Sequence, residues 1–158
     1  MPQRFSFVVI GLVFFGQFAQ AQSSSCPYST AELKNALGIS VAEGKPGKES
    51  PFQGGQNMSC QYAGNGSEPG LQLNITAYTN PKDPSIDHMK KMLAGKLKPI
   101  AGDPDGASFQ EDQGDLTNAT LHYVRQGYQV ETRVFVGPKQ KDYETIRQKL
   151  VKLKRLPF

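Results

Sequence analysis

Residues 118–136 have the sequence NATLHYVRQGYQVETRVFV, in which two runs of alternating apolar and polar residues flank Gln126-Gly127. A two-residue turn at this dipeptide predicts a β-hairpin with strands over 118–125 and 128–136. This hairpin is the clearest supersecondary unit of the chain, and the rest of the fold is predicted outward from it.

Counting outward from the turn gives the register of the hairpin. Arg125 pairs with Tyr128, and from there the apolar side chains of both strands fall on one face, which supports the pairing. The apolar face pairs Tyr123 with Val130, Leu121 with Thr132 and Ala119 with Val134. The opposite face pairs His122 with Glu131 and Thr120 with Arg133.

Further strands are predicted upstream of the hairpin. Residues 57–62 and 71–78 both alternate between apolar and polar side chains, which predicts two strands with one buried face each. Short strands are predicted at 39–43 and 107–110, and Gly- and Pro-rich loops at 44–56 and 99–113.

Three amphipathic helices complete the pattern. Ser29 and Glu32 form a capping box before a helix over 30–37, which Gly38 can end. The other two helices are predicted from Asp83 or Ser85 through the apolar positions Ile86, Met89, Leu93 and Leu97, and over about 140–154.

The order of these elements predicts the fold class. One-sided strands joined by short turns favour an antiparallel sheet with one solvated face, and the helices are expected on the other face. We therefore predict an α+β two-layer sandwich. The order is compatible with a duplicated αβββ unit followed by a C-terminal helix, although the two halves share no residue motif.

Residues 1–21 are predicted to be a cleavable secretory signal peptide. Arg4 gives a positive start, residues 5–18 form an uncharged apolar run, and residues 19–21 (Ala-Gln-Ala) form a small-x-small cleavage site. The apolar run is shorter than the about 20 residues that a spanning helix needs. We expect a single soluble domain over 22–158, secreted or periplasmic, without a membrane span.

The two cysteines, Cys26 and Cys60, are expected to form a disulfide in an oxidising compartment. Closing a loop of this length stabilises the fold by about 4 kcal/mol in the chain-entropy model. Neither cysteine has a neighbouring His, Lys or Arg in sequence that would favour a reactive thiolate.

Composition argues against several functional classes. Removing the leader lowers the formal net charge from +4 to +3, which is too weak to indicate nucleic-acid binding, and Trp is absent. The late basic residues, such as Arg147 and Arg155, are predicted to be the solvated face of a helix. No phosphate-binding loop, dinucleotide motif or zinc motif is present, so no cofactor or metal is predicted.

The candidate site residues are His122, Glu131 and Arg133. The register places His122 opposite Glu131, where the two could act as an acid–base pair, with Arg133 on the same face to bind an anion. The alternative is a polar pair on a solvated sheet face, because no nucleophile is identifiable beside it. His88 is expected to be an exposed residue among lysines.

Two other sequence patterns were compared with known motifs: an acidic turn with a calcium-binding loop, and four asparagines with the N-glycosylation sequon. The acidic residues around Asp103-Pro104-Asp105-Gly106 start like a calcium loop but do not continue with its spacing, so a solvated loop is expected. Four Asn-x-Ser/Thr sequons could carry glycans in a eukaryotic secretory pathway. They begin at Asn57, Asn65, Asn74 and Asn118, and three of them lie on the predicted polar strand faces.

The layout resembles small exported bacterial domains of the PknH sensor-domain type. The resemblance is carried by Cys26 before a helix that ends at Leu37-Gly38, by Cys60-Gln61-Tyr62 at a strand, and by residues 100–109, IAGDPDGASF. It covers nearly all of the mature chain and implies an extracytoplasmic ligand-binding or interaction role. This chain departs from the lipoprotein members because no lipobox precedes Cys26.

The leading functional hypothesis is a non-enzymatic, extracytoplasmic binding domain whose partner is a protein or a small molecule. It would use the polar sheet face or the loops at 44–56 and 99–115. The alternatives are a small secreted hydrolase using His122 and Glu131, and a secreted inhibitor or effector acting through residues 44–56.

The expected export is testable by intact-mass analysis of the chain purified from its natural host. We expect a product that begins near Gln22 and is two hydrogens lighter than the fully reduced form, because the leader is removed and both sulfurs are oxidised. A product that retains Met1 or Arg4, or one with two free thiols, would contradict this expectation.

Overall fold

A computed structural model describes residues 26–80, 82–110, 118–136 and 143–157. Within these ranges the chain contains helices α1 (Thr30–Leu37), α2 (Pro84–Met92) and α3 (Tyr143–Leu150). The first four strands are β1 (Lys45–Pro46), β2 (Ser50–Phe52), β3 (Gly55–Tyr62) and β4 (Leu71–Tyr78). The last four are β5 (Leu97–Pro99), β6 (Ser108–Gln110), β7 (Asn118–Arg125) and β8 (Tyr128–Phe135).

The strands form one antiparallel sheet in the order β1-β3-β4-β8-β7-β6-β5, with β2 also paired to β3. The predicted α+β sandwich with an antiparallel sheet is confirmed. The predicted hairpin register is also confirmed, since Arg125 pairs with Tyr128 and His122 pairs with Glu131. Gln126 and Gly127 both have positive φ, 51° and 80°, as the tight turn of a right-twisted hairpin requires.

The two halves of the chain repeat one order of elements. Each half has a helix followed by four strands, and the halves meet where β4 pairs with β8. Each half thus has four strands where three were predicted, and α3 follows the second half.

Three local predictions are corrected by the structure. Residues 39–43 are not a strand, because only Val41 forms an isolated bridge, to Gly64. The predicted loop at 44–56 contains β1 and β2, which are exposed but paired to β3. The second helix ends at Met92, and Leu97 opens β5, because Gly95 with a φ of 85° lies in the turn between them.

The hydrophobic core lies on the apolar face of the sheet, under α1 and α3. Leu33 and Leu37 of α1 and Ile146 and Leu150 of α3 are buried there against the strands. Leu153, which was predicted inside the last helix, lies beyond its end but is still buried in this core. The predicted start of that helix at 140 lies outside the described residues.

Helix α2 borders the opposite, polar face of the sheet. Ile86 is buried but does not belong to the main core. Met89 and Lys90 of the same helix line a cavity together with His122, which points away from that core. Two helices therefore cover the apolar face, and the third partly covers the polar face.

The ends of α1 follow the sequence signals. The Ser29 hydroxyl accepts a hydrogen bond from the Glu32 amide, and the Glu32 carboxylate accepts one from the Ser29 amide. Gly38, with a φ of 78°, ends the helix in the left-handed conformation. The predicted boundaries of this helix, 30–37, are confirmed.

A disulfide and a group of tyrosines join both ends of the described chain to the sheet. Cys26 is bonded to Cys60 of β3, as predicted. The Tyr28 amide donates to the Tyr62 hydroxyl at 3.1 Å, and the Tyr28 hydroxyl donates to the Lys154 carbonyl at 2.7 Å. Burial raises the pKa of Tyr28 far above its ordinary range, so this hydroxyl stays a donor at any physiological pH.

Two of the late basic residues make specific contacts instead of lying on a solvated face. Arg155 lies over the ring of Tyr123 at 4.6 Å and donates to the Asp103 carboxylate at 2.7 Å. Arg147 lies over the ring of Phe109 at 4.4 Å. The predicted solvation of these two side chains is therefore wrong, because their planar cations stack on aromatic rings.

Within the described residues, no helix is long and apolar enough to cross a membrane.

The tyrosine contacts predict a measurable loss of stability for Tyr123→Phe. The Tyr123 hydroxyl accepts a hydrogen bond from the buried Leu156 amide at 2.8 Å, and the substitution leaves that donor without its acceptor. We expect the free energy of unfolding to fall by about 1–3 kcal/mol in urea denaturation.

The matched control for this variant is Tyr128→Phe. Tyr128 is half-buried in the neighbouring strand, and its hydroxyl makes no hydrogen bond to any residue that the structure describes. A loss of equal size in both variants would contradict the assigned role of the Tyr123 hydroxyl.

Candidate functional site

The polar face of the sheet carries one row of functional side chains across neighbouring strands. Ser108 of β6 pairs with His122 of β7, His122 pairs with Glu131 of β8, and Glu131 pairs with Asn74 of β4. Directly paired residues project from the same face of a sheet. The row therefore contains the predicted pair His122 and Glu131, together with two residues that were not predicted as part of a site.

Glu131 of this row is paired with Arg133, which lies two residues further along β8 on the same face. A terminal guanidinium nitrogen of Arg133 lies 3.1 Å from Glu131 Oε1, and the Asn74 side-chain amide donates to the same oxygen at 3.1 Å. Because Glu131 already holds the Arg133 cation, Arg133 is partly neutralised. The anion-binding role of Arg133 stays a prediction: Glu131 holds one terminal nitrogen, while the buried Nε has no hydrogen-bond partner in the described part of the chain.

His122 is buried, contrary to the expectation of a solvated polar face. The residue is 6% exposed, and its neighbour Thr120 is 1% exposed. Desolvation lowers the pKa of His122 below its ordinary value, and the Arg133 charge lowers it further, against the opposing effect of Glu131. The ring is therefore neutral at physiological pH.

The hydrogen bonds of His122 define its tautomer. Nε2 lies 2.8 Å from the side-chain oxygen of Gln110, which can only accept, so Nε2 carries the proton. In the neutral ring Nδ1 is then an acceptor. Nδ1 lies 4.0 Å from the Glu131 carboxylate and has no hydrogen-bond partner in the described part of the chain.

A cavity of about 250 Å³ lies between α2 and the end of the row that contains His122. His122 and Ser108 line it from the sheet, with Val124 and Gln129 beside them. Met89 and Lys90 line it from α2. The other lining residues are Leu97, Asp105, Gly106 and Tyr123.

The hydrolase hypothesis can be compared with this geometry. It requires His122 and Glu131 to converge in a concave site with a third polar group, and Ser108 is such a group in the same row. However, Nε2 of His122 is engaged by Gln110, and among the described residues no hydrogen bond joins the imidazole to a hydroxyl. The arrangement has the residue types of an acid–base site without an activated nucleophile.

The acidic turn at 103–106 has a structural role. Asp103 Oδ1 accepts from the amides of Asp105 and Ala107, at 3.0 and 3.1 Å, and Oδ2 accepts from Arg155. In the part of the chain that the structure describes, no group of three or more His, Cys, Asp or Glu side chains is placed to hold a metal ion. Glu111, Asp112 and Asp115 lie outside the described residues.

The sequon asparagines and His88 lie at the surface or near it. Asn57, Asn74 and Asn118 all project from the polar face, as predicted, because they belong to the same alternation as His122. Asn57 and Asn65 are exposed, whereas Asn74 and Asn118 are half-buried. His88 is exposed on α2, also as predicted.

Comparison with known proteins gives no match to a family model, to a curated protein or to a solved structure. The resemblance to PknH-type sensor domains therefore stays an expectation.

Ser108, Met89 and Lys90 were not predicted as site residues. Ser108 could have been paired with His122 only if the register of the three-residue strand β6 had been known. The two α2 residues reach the cavity through tertiary packing, for which the helical periodicity of residues 86–93 gives no signal.

The buried neutral state of His122 predicts a dependence of stability on pH. Its pKa is lower in the folded than in the unfolded chain, where the ordinary value is 6.5. The resulting stabilisation is present above pH 6.5 and is lost as the pH falls towards the lower folded pKa, because the unfolded state then binds more protons. We expect His122→Gln to lose less stability than the wild type between pH 7.5 and pH 5.0.

Urea denaturation at both pH values measures this difference. His88→Gln is the matched control, since His88 is exposed, and we expect it to lose as much stability as the wild type. Equal losses in the wild type and in His122→Gln would show that the buried imidazole does not contribute.

Proposed function

We propose that the mature chain is a non-enzymatic binding domain outside the reducing cytosol, which takes up a small molecule in the cavity between α2 and strands β6 to β8. The observation that carries the proposal is the buried, neutral His122 beside Ser108 at a cavity of about 250 Å³. Small-molecule sites are concave and mostly apolar, with a few convergent polar groups. This cavity has that composition.

The energetics of burial support the same choice. A buried polar group without a hydrogen bond costs about 1–3 kcal/mol, and His122 Nδ1 is such a group among the described residues. A bound donor would recover that cost. Keeping an incompletely satisfied imidazole beside an open cavity is therefore more typical of a binding site than of a packing residue.

A larger depression elsewhere is a weaker candidate. It has about 530 Å³ and is lined by residues near Cys26, Ser29, Glu32 and Glu43. The Ser29 and Glu32 side chains are already paired with each other in the capping box. The depression thus has few free polar groups that could orient a ligand.

The predicted leader and the disulfide support the proposed compartment. A Cys26–Cys60 bond persists in oxidising compartments and is rare in the cytosol. Together with the predicted signal peptide at 1–21, it supports a secreted or periplasmic location.

The remaining alternatives have less support. A hydrolase would need His122 Nε2 released from Gln110 before it could activate Ser108. An inhibitor or effector acting through 44–56 would use a segment whose strands β1 and β2 are paired with β3 at one edge of the sheet. Both remain hypotheses that rank below the binding domain.

Ligand uptake is testable by NMR titration of the ¹⁵N-labelled mature chain with phenylacetate, phenylacetamide and phenethylamine. We expect at least one probe to cause saturable shifts at the amides of Met89, Ser108 and His122, because these residues line the cavity. Val124→Phe is expected to weaken this binding at least about tenfold by filling the cavity.

The matched control for this titration is Thr76→Phe. Thr76 projects from the same sheet face two strands away from Val124 and does not line the cavity. We expect it to bind like the wild type. Binding that survives Val124→Phe, or the absence of saturable shifts with all three probes, would contradict the proposed function.

A further inference from the structure

We infer that the cavity selects a small organic acid, whose single carboxylate is bound by Lys90 at the mouth and whose apolar body packs on Met89, Leu97 and Val124. This inference rests on the proposed function and adds the chemical class of the ligand. It is carried by the distribution of charge and of apolar surface around the cavity.

One wall of the cavity is cationic. The segment from Pro84 to Pro99 contains four lysines and one aspartate, a formal charge of +3 with histidine neutral, and it contributes Met89, Lys90 and Leu97 to the lining. Lys90 is exposed and has no ion-pair partner in the described part of the chain. An anion near this wall is favoured and a cation is repelled.

The acidic group on the other wall is already partnered. Asp105 also lines the cavity, but its carboxylate lies 4.0 Å from the Arg125 guanidinium, and its side chain is only 16% exposed. Glu131, further along the row, is held by Arg133 and Asn74. Neither carboxylate offers an unpaired negative charge to a cationic ligand, whereas Lys90 is the one unpaired cation among the described residues that line the cavity.

The interior of the cavity is suited to the uncharged part of a ligand. Met89, Leu97 and Val124 are half-buried and supply apolar surface, and the flexible Met89 side chain can adapt to different shapes. His122 is neutral, and Ser108 is uncharged. A charge at this depth would lose its hydration without a counter-charge, so the carboxylate is expected at the mouth beside Lys90.

The size and single cation limit the ligand further. The volume of about 250 Å³ lies just below the range of about 300–1,000 Å³ that is usual for small-molecule sites, so the ligand must be small. One lysine point charge suits one carboxylate, whereas diphosphates are bound by several cations or by a phosphate loop. The ligand class is therefore a small acid with one charge and a largely apolar body, on which a single donor group could reach His122 Nδ1.

The test of this inference uses three probes that have nearly the same shape but differ in charge, so that a difference in affinity reports the effect of ligand charge. They are phenylacetate, its neutral amide phenylacetamide and the cation phenethylamine, titrated into the full mature chain at pH 7.5 and low salt. We expect phenylacetate to bind about fivefold more tightly than phenylacetamide, and phenethylamine to bind most weakly. High salt should reduce the preference for the acid.

Lys90→Gln is expected to remove the preference for phenylacetate while leaving phenylacetamide binding within about twofold of the wild type. Lys91→Gln is the matched control, because Lys91 is the next residue of α2, is exposed and does not line the cavity. It should leave the preference within about twofold of the wild type.

The outcomes of the titrations show whether the organic-acid inference fails alone or together with the proposed binding function. Equal or tighter binding of the amide or the amine at the cavity would overturn the organic-acid inference and leave the binding domain intact. A preference that Lys90→Gln does not change would also overturn it. Absence of cavity binding by all three probes would overturn both.

Discussion

The pairing of β7 with β8 is the constraint on which both the core and the candidate site depend. Gln126 and Gly127 adopt positive φ in a two-residue turn, and this turn fixes Arg125 opposite Tyr128. Because side chains alternate with a period of two, a slip of one residue in this pairing would either turn His122 towards the apolar core or turn Val130 out of it. The same register that buries Val130 completely therefore places His122 on the polar face.

The two faces of the sheet are covered to different extents, and this difference creates the site. Helices α1 and α3 cover the apolar face with fully buried leucines. On the polar face α2 covers only the end near β6 and β7 and buries Ile86. Where α2 meets the row of His122, polar side chains lose water without being packed tightly, and a cavity remains. Beyond α2, the residues of β3 and β4 on this face stay half-buried or exposed.

The sequence predicts local features of this structure well and long-range features poorly. The hairpin register and the bounds of α1 were predictable because turn residues, capping residues and alternation are local signals. The end of α2 was mispredicted, since Leu97 continues the helical spacing while Gly95 breaks the helix. The pair His122 and Glu131 was predicted, but its burial was not, because burial depends on α2, which is some 30 residues away.

Burial also decides which chemistry the row can perform. In a solvated pair, Glu131 would raise the pKa of His122 and favour an imidazolium suited to acid–base work, whereas here desolvation is the largest influence and keeps the ring neutral. The carboxylate is bound by Arg133, and Nε2 donates to Gln110. This face therefore carries a partly satisfied polar network, in which His122 Nδ1, Thr120 Oγ1 and Arg133 Nε are buried without a hydrogen-bond partner among the described residues. A ligand that completes such a network holds its side chains in place, so this face is better suited to recognising a ligand of fixed shape than to transferring protons.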